Sequence, residues 1–356
     1  MSEIVFILGA GASRDAGAPV MNDFLEVAEN LNKNGQSGEY KKEFAAVFSA
    51  ISDLQIGLSK SKYSLDNIES VFEIFEMASM IKKFPNRGKN DIDELLKSIR
   101  WLIFKTLEQT IKFQVLDGQI LPSETYNNLS KLVINLNNEG RKKRCSIITF
   151  NYDIALDYAL HFNLFPADYY LSEIDISLKA PLFKLHGSLN WLKCPKCEKV
   201  FSWDIKDFFN KYKYRFLEEG QSVTIDLPTK LSEAGLKHCE SELLNPTPYI
   251  LPPTFNKLEY QKSISNVWLQ AALELSDAEN IFISGYSLPE TDNFFKYLFA
   301  LGSIGKNRIK RFWVYDINSE VNGRYKKFIG YDIESKYKFI PDTFSKMIED
   351  VQNLSL

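Results

Sequence analysis

Histidine occurs three times in this 356-residue chain, at positions 161, 186 and 238. An imidazole with a pKa of about 6.5 can take or give a proton near neutral pH, so each histidine is a candidate general base. His186 ends the alternating run Pro181-Leu182-Phe183-Lys184-Leu185-His186, and Gly187-Ser188 follow it. That pattern places it at a strand end, as a base or as a hydrogen-bonded core histidine. His161 closes a helical stretch beside Phe162 and reads as a helix-end cation. His238 neighbours Cys239 and belongs with the cysteines.

Gly9-Ala10-Gly11-Ala12-Ser13 follows the apolar run 3–8. Glycine lets a backbone approach a pyrophosphate, and the following helix offers N–H groups and a positive dipole end. Gly9, Gly11 and Gly17 do not make GxGxxG, and no Lys-Ser or Lys-Thr completes a Walker loop. The segment is either a nucleotide loop or a tight strand-to-helix turn. Asn151, Asp153, Asp316 and Asn318 follow apolar runs, at the strand ends where doubly wound sheets bind ligands. Turn, cap and helix-N-terminal roles suit the same residues. Cys194-Pro195-Lys196-Cys197 has zinc-knuckle spacing, and a structural zinc wants four ligands.

These residues need a frame. Residues 3–8 read as a buried parallel strand and 20–32 as a helix. Phe44, Val47, Phe48 and Ile51 recur at helical spacing, as do Ile68, Val71, Phe72 and Phe75, then Leu95, Ile99, Leu102 and Ile103. Strands return at 145–150, 181–186, 280–284 and 310–315, with helices at about 153–161, 262–276 and 291–303. The expected fold is α/β: a doubly wound parallel Rossmann-like sheet with a large helical insertion and a small Cys-containing insertion. The expected boundaries are 1–34, 139–190 and 246–356 for the sheet domain, an all-helical 35–138, and an irregular 191–245.

Composition narrows the class. The chain is 45% apolar and 25% charged, enough for a sizeable core. With 43 basic and 46 acidic residues, it does not look built to hold nucleic acid or a membrane surface. The run Arg141-Lys142-Lys143-Arg144 reads as a solvated turn. No apolar stretch reaches spanning length, Met1-Ser2-Glu3 is not a signal-peptide start, and four cysteines are few for a secreted scaffold. A reducing, cytoplasmic setting is expected.

Several motifs together resemble the sirtuin (SIR2) superfamily. Gly9-Ala10-Gly11-Ala12-Ser13 with Ala16-Gly17-Ala18-Pro19 resembles the family's GAG-x-S…G-x-P opening, and Asp23-Phe24 its next motif, displaced and with Leu25 in place of Arg. Thr149-Phe150-Asn151-Tyr152-Asp153 resembles T-x-N-x-D, and Lys184-Leu185-His186-Gly187-Ser188 the segment carrying the catalytic histidine. Gly285-Tyr286-Ser287-Leu288 is similar to the ribose and phosphate loop. Cys194 and Cys197 resemble the first half of the zinc site. In the second half, Leu236 replaces a cysteine beside Cys239, leaving His238 as a stand-in or the segment as a metal-free relic. The runs 251–257 and Asn67-Ile68-Glu69-Ser70-Val71-Phe72 are similar to bacterial SIR2-like proteins of anti-phage defence.

The resemblance implies an NAD+ glycohydrolase that releases nicotinamide and ADP-ribose. An NAD-dependent protein deacylase and a non-catalytic NAD or ADP-ribose sensor are the alternatives. Asn151 and His186 would be catalytic. Asn151 would meet a ribose hydroxyl or the water, and His186 would take a proton from either. Gly9, Ala10, Gly11, Ala12, Ser13, Asp23, Phe24, Thr149, Asn151, Asp153, Gly285, Ser287, Leu288, Asp316 and Asn318 would bind the dinucleotide, and Cys194, Cys197 and Cys239 a zinc. A homo-oligomer, and an ATPase or nuclease partner, are also implied.

Overall fold

The structure is a computed structural model describing residues 3–57, 64–138, 144–171, 179–212, 218, 220–231, 233–243, 246–251, 263–289, 292–304 and 308–354. Its centre is a sheet of β1 (Ile4–Leu8), β2 (Cys145–Thr149), β3 (Ala167–Asp168), β4 (Ala180–Lys184), β5 (Asn280–Ser284), β6 (Arg311–Tyr315) and β7 (Tyr337–Ile340), in the order β7-β6-β5-β1-β2-β4-β3. All six pairings are parallel. The chain builds outward from β1 to one edge through β2 and β4, then returns to build β5, β6 and β7 on the other side. The order therefore reverses beside β1, the place where doubly wound sheets open a crevice.

The longer helices are α1 (Phe24–Lys33), α2 (Lys41–Ile56), α3 (Ile68–Ile81), α4 (Lys89–Thr110), α5 (Glu124–Asn138), α6 (Ala155–Phe162), α7 (Ser265–Asp277), α8 (Asn293–Gly302), α9 (Glu320–Phe328) and α10 (Phe344–Gln352). Side chains alternate along β1, so Ile4, Phe6 and Leu8 join one core and Val5 and Ile7 the other. The first core takes the apolar faces of α1, α5, α6 and α10, and the second those of α7, α8 and α9. Covering both faces of the sheet explains why β1, β2 and β5 are unbroken runs of buried residues.

The helical spacing of the insertion becomes α2, α3 and α4. Their buried side chains, among them Phe44, Val47, Phe72, Phe75, Leu95 and Leu102, are continuous with the first core. The expected all-helical block is nonetheless interrupted. Phe113–Leu116 and Gln119–Leu121 pair antiparallel across Asp117-Gly118, whose φ values are 51° and 68°. Asp-Gly at two positive-φ positions is the favoured two-residue hairpin turn. Phe113 and Val115 are buried while Gln114 and Leu116 are exposed, the period of a strand. The segment 191–245, read as irregular, carries a helix, Ile205–Lys211, and short antiparallel pairs at Trp191–Lys193 with Val200–Ser202 and at Lys237–His238 with Ser241–Glu242. Residues 141–143 of the basic run and 252–257 lie outside the described residues. Among the described residues no helix is long and apolar enough to cross a membrane.

One buried charge pair ties β4 to α6. Lys184 Nζ lies 2.9 Å from Asp157 Oδ2, with both side chains 1% exposed. The same ammonium donates to the carbonyl of Asp153, and Asp157 Oδ1 accepts from Tyr169. Removing one partner strands a buried charge, which costs about 3–5 kcal/mol. Lys184→Ala is therefore expected to lower unfolding free energy by that amount in urea titrations. The double replacement Lys184→Met/Asp157→Leu should recover part of the loss.

Candidate active site

The strand ends deliver the site. After β1 the chain turns at once into a short 3₁₀ helix, Ala10–Ala16, and α1 begins only at Phe24, later than the expected start at residue 20. Gly9 N donates to Ser284 O at 3.0 Å, Gly11 N to Gly285 O at 3.0 Å, and Ala12 N to Gly9 O at 2.9 Å. The loop amides expected to face a pyrophosphate are thus largely taken by the protein itself. The glycines have an internal reason too. A Cβ on Gly9 would lie 2.5 Å from Gly285 O, and one on Gly11 2.7 Å from Gly285 Cα. Gly285 has φ +61°, and its Cβ would lie 2.3 Å from Ala12 N.

Ser13, Asn151 and Asp153 form one buried network. Asn151 Nδ2 donates to Gly9 O at 2.9 Å and to Ser13 Oγ at 2.8 Å. A carbonyl partner fixes the amide's orientation, so Oδ1 is the atom Asn151 can offer a ligand. Ser13 Oγ gives its one proton to Asp153 Oδ2 at 2.7 Å. Its 2.7 Å contact with Tyr126 OH then has the tyrosine as donor. Asp153 Oδ1 accepts from Ala155 N at 2.9 Å, so this carboxylate both holds the first N–H of α6 and orients the serine. Burial raises the Asp153 pKa, against the opposing charge of Lys184. Thr149 Oγ1 donates to Leu8 O and accepts from Asn151 N, setting the turn that carries the asparagine.

His186 falls two residues beyond β4, in the turn before Gly187. It is buried, with its ring edge-on to Phe150 at 5.2 Å. Its Nε2 is 3.8 Å from Asp292 Oδ2, which accepts from Tyr286 OH at 2.6 Å. Asp292 precedes α8 and offered no motif; a lone acid at a helix start reads as a cap. His161, expected as a helix-end cation, is half-buried, and burial lowers its pKa away from the charged form.

Two cavities meet here. The first, of about 80 Å³, is bordered by Ser13, Phe24, Glu69, Asn151, Asp153, His186 and Asp292, among others. The second, of about 330 Å³, is bordered by Gly11, Arg14, Tyr315, Asp316, Asn318 and Thr343, among others. Ala10, Met21, Gly285 and Ser287 border both, so the cavities are two ends of one cleft at the switch point. Asp316 also accepts from Asn318 N at 2.9 Å, and burial raises its pKa. Gly9, Ala12, Asp23, Thr149 and Leu288 border neither cavity; Ala12 and Leu288 pack in the two cores. Arg14 and Asp292 are cleft residues that no motif picks out, and Glu69 belongs to the run Asn67–Phe72, which by itself gives it no place in a site.

No protein-family model matches the chain, and no curated protein matches it. Among solved structures the chain is similar to "Sir2-p53 peptide-NAD+", at 14% identity and a TM-score of 0.40 over 98% of this chain and 91% of that one. It is also similar to "Crystal structure of a Sir2 homolog-NAD complex", at 13% identity and a TM-score of 0.40 over 98% and 89%. A third, from "Structural Basis for the Mechanism and Regulation of Sir2 Enzymes", has 11% identity and a TM-score of 0.41 over 98% and 90%.

Apart from the cleft, Cys194, Cys197, His238 and Cys239 bring one ligand atom each to within 4.8 Å of one another. Zinc–sulfur bonds of about 2.3 Å in a tetrahedron need ligand atoms roughly 4 Å apart, so the set fits. Cys239 and Glu240, with φ values of 52° and 60°, form the turn of a tight hairpin that presents His238 and Cys239 together. His238, and not Leu236, is the fourth member of this cluster. The backbone N–H of Cys197 pulls the Cys194 thiol down to about 6, while the neighbouring Cys197 thiol pushes Cys239 up to about 11.

The glycine contact yields a direct expectation. Gly285→Ala must place a methyl group against Ala12 N from a left-handed backbone, at a cost of about 2 kcal/mol or more. A lowered melting temperature checks it, and a variant as stable as wild type would refute the close approach.

Proposed function

We propose that this cleft binds NAD+ and cleaves its nicotinamide–ribose bond, giving nicotinamide and ADP-ribose. One observation carries the reading. Asn151 and the His186–Asp292 pair border the same small cavity, and that cavity continues past Gly285 into a larger one edged by Asp316 and Asn318. A dinucleotide has that division, with a reactive glycosidic bond at one end and an adenosine at the other. The motif resemblance supports the same polarity.

Nicotinamide leaves as a neutral molecule from a cationic precursor, so its departure needs no strong acid. The work of the site is to hold the ribose and favour the cationic sugar centre left behind. Asn151 Oδ1, held by the grip of Gly9 and Ser13 on the amide, accepts from a ribose hydroxyl. His186, backed by Asp292, takes a ribose proton. Phe24, Phe150 and Tyr152 wall the cavity and limit water. Depletion of NAD+ in anti-phage defence, by a cytoplasmic homo-oligomer with an ATPase or nuclease partner, is the setting the motifs support.

Purified protein, alone and in its native assembly, should release nicotinamide from NAD+, and Asn151→Ala or His186→Ala should cut turnover by about 10²-fold or more. Chromatography of the products checks this. Unchanged turnover in both variants would remove those residues from the mechanism, and 2′-O-acetyl-ADP-ribose formed from an acetylated peptide would favour a deacylase.

A structural zinc on Cys194, Cys197, His238 and Cys239 completes the proposal. Metal analysis should find about one zinc per chain in wild type. Cys197→Ala should lose it together with part of the thermal stability.

A further inference from the structure

We propose that Tyr126, on α5, is a positioning residue for the reaction. Its hydroxyl fills the last acceptor site of Ser13 Oγ, so the serine holds Asn151 in place and makes no bond to the ligand. Tyr126 has this role within the NAD+-cleavage reading above, and Ser13 loses the dinucleotide contact that the motif resemblance implies.

A serine hydroxyl has one proton and two lone pairs. The contacts of Ser13 Oγ use all three. Its proton goes to Asp153 Oδ2 at 2.7 Å, and Asn151 Nδ2 donates to it at 2.8 Å. Tyr126 OH, at 2.7 Å, takes the remaining lone pair. Ser13 is 1% exposed and Tyr126 2% exposed, so both side chains are shut off from bulk solvent. Burial, followed by the charge of Asp153, raises the Tyr126 pKa well above its ordinary value, and the phenol keeps the proton it donates. Ser13 therefore borders the first cavity with no hydrogen-bonding capacity left for a ligand.

The start of α5 fixes where the phenol stands. Tyr126 lies in the first turn of that helix, with its ring edge-on to Phe344 of α10 at 5.5 Å. The preceding residue, Thr125, donates to Asp15 Oδ2 at 3.0 Å and lies 3.1 Å from Ser345 Oγ. Adjacent hydroxyls on one helix thus grip Ser13 and Asp15 of the 3₁₀ helix that follows β1. They set the register of that loop against a helix packed on the sheet.

Asn151 Nδ2 has Gly9 O and Ser13 Oγ as its partners, so the aim of Oδ1 depends on Ser13 remaining an acceptor. Without the tyrosine proton, one lone pair of Ser13 is empty in a buried place, where an unmet polar atom is costly. The serine can then turn away from Asn151 or accept from a hydroxyl of the ligand, and either move loosens the amide. The loss falls on bond cleavage more than on binding, because Asn151 Oδ1 must be aimed before charge develops on the ribose.

The test is a double-mutant cycle on the full chain in its native assembly: wild type, Tyr126→Phe, Ser13→Ala and the double variant. NAD+ cleavage is followed with enzyme in excess, so that slow variants remain readable, and ADP-ribose affinity is measured by calorimetry on the same preparations. Tyr126→Phe keeps the ring against Phe344 and should lower the maximal cleavage rate about tenfold. ADP-ribose affinity should stay within about threefold of wild type in both single variants. Adding Tyr126→Phe to Ser13→Ala should slow cleavage by less than about twofold, since the tyrosine then has no serine to act through. Wild-type cleavage by Tyr126→Phe overturns the proposal, and so does the same tenfold loss repeated in the Ser13→Ala background. Weakened ADP-ribose binding by Ser13→Ala beyond that range overturns it too. Should melting curves show that Ser13→Ala is unfolded, Tyr126→Phe decides alone: equal losses in cleavage rate and ADP-ribose affinity overturn the proposal. A wild-type assembly that leaves NAD+ intact overturns the cleavage reading itself, and the role of Tyr126 falls with it.

Discussion

Everything at the site depends on two backbones passing closer than side chains allow. The loop after β1 and the loop after β5 cross at Gly9, Gly11 and Gly285, with Gly11 N bonded to Gly285 O. A methyl group at any of these positions would meet main-chain atoms, which cannot swing aside. The contact lies where the strand order reverses, so it sets the floor of the crevice the reversal opens. It also changes what the glycines are for. Their amides largely bond to each other's loops, and Gly11 and Gly285 line the open cleft together with Ala10, Ser13 and Ser287.

A second layer holds the polar groups in place. Lys184 and Asp157 are buried together beneath the site, and Lys184 also grips the carbonyl of Asp153. Asp153 orders Ser13, Ser13 accepts the amide of Asn151, and Asn151 reaches back to Gly9. The chain of contacts returns to the glycine crossing. Such a network is costly if broken, because each member is buried and has few other partners. Preorganisation of this kind is what a site needs if it must favour a charged centre without rearranging.

Much of the fold was legible because parallel strands covered on both faces must be unbroken apolar runs, and the helices between them must carry an apolar stripe. The hairpin at Phe113–Leu121 is masked in the sequence by the long helical patterns around it, although Asp117-Gly118 is a strong turn signal. The 3₁₀ helix after Gly9 has no sequence signature, because glycine and alanine do not distinguish it from an open loop. In the Cys segment spacing marks Cys194 and Cys197, whereas His238 and Cys239 join them only through a hairpin turn at Cys239-Glu240.

The sequence by itself determined the class of fold, the strand ends and the local motifs around Gly9, Asn151, His186 and Gly285, because each depends on neighbours a few residues away. Tertiary structure alone decided how these motifs meet. It showed that Ala12 and Leu288 pack in the cores, that Asn151 has only its carbonyl to offer, and that Asp292 lies 3.8 Å from His186. It also carried Glu69 from the distant helical insertion to the edge of the same cavity. Those facts depend on the order of strands in the sheet and on which helix covers which face. Periodicity tells that a face is buried but not what buries it.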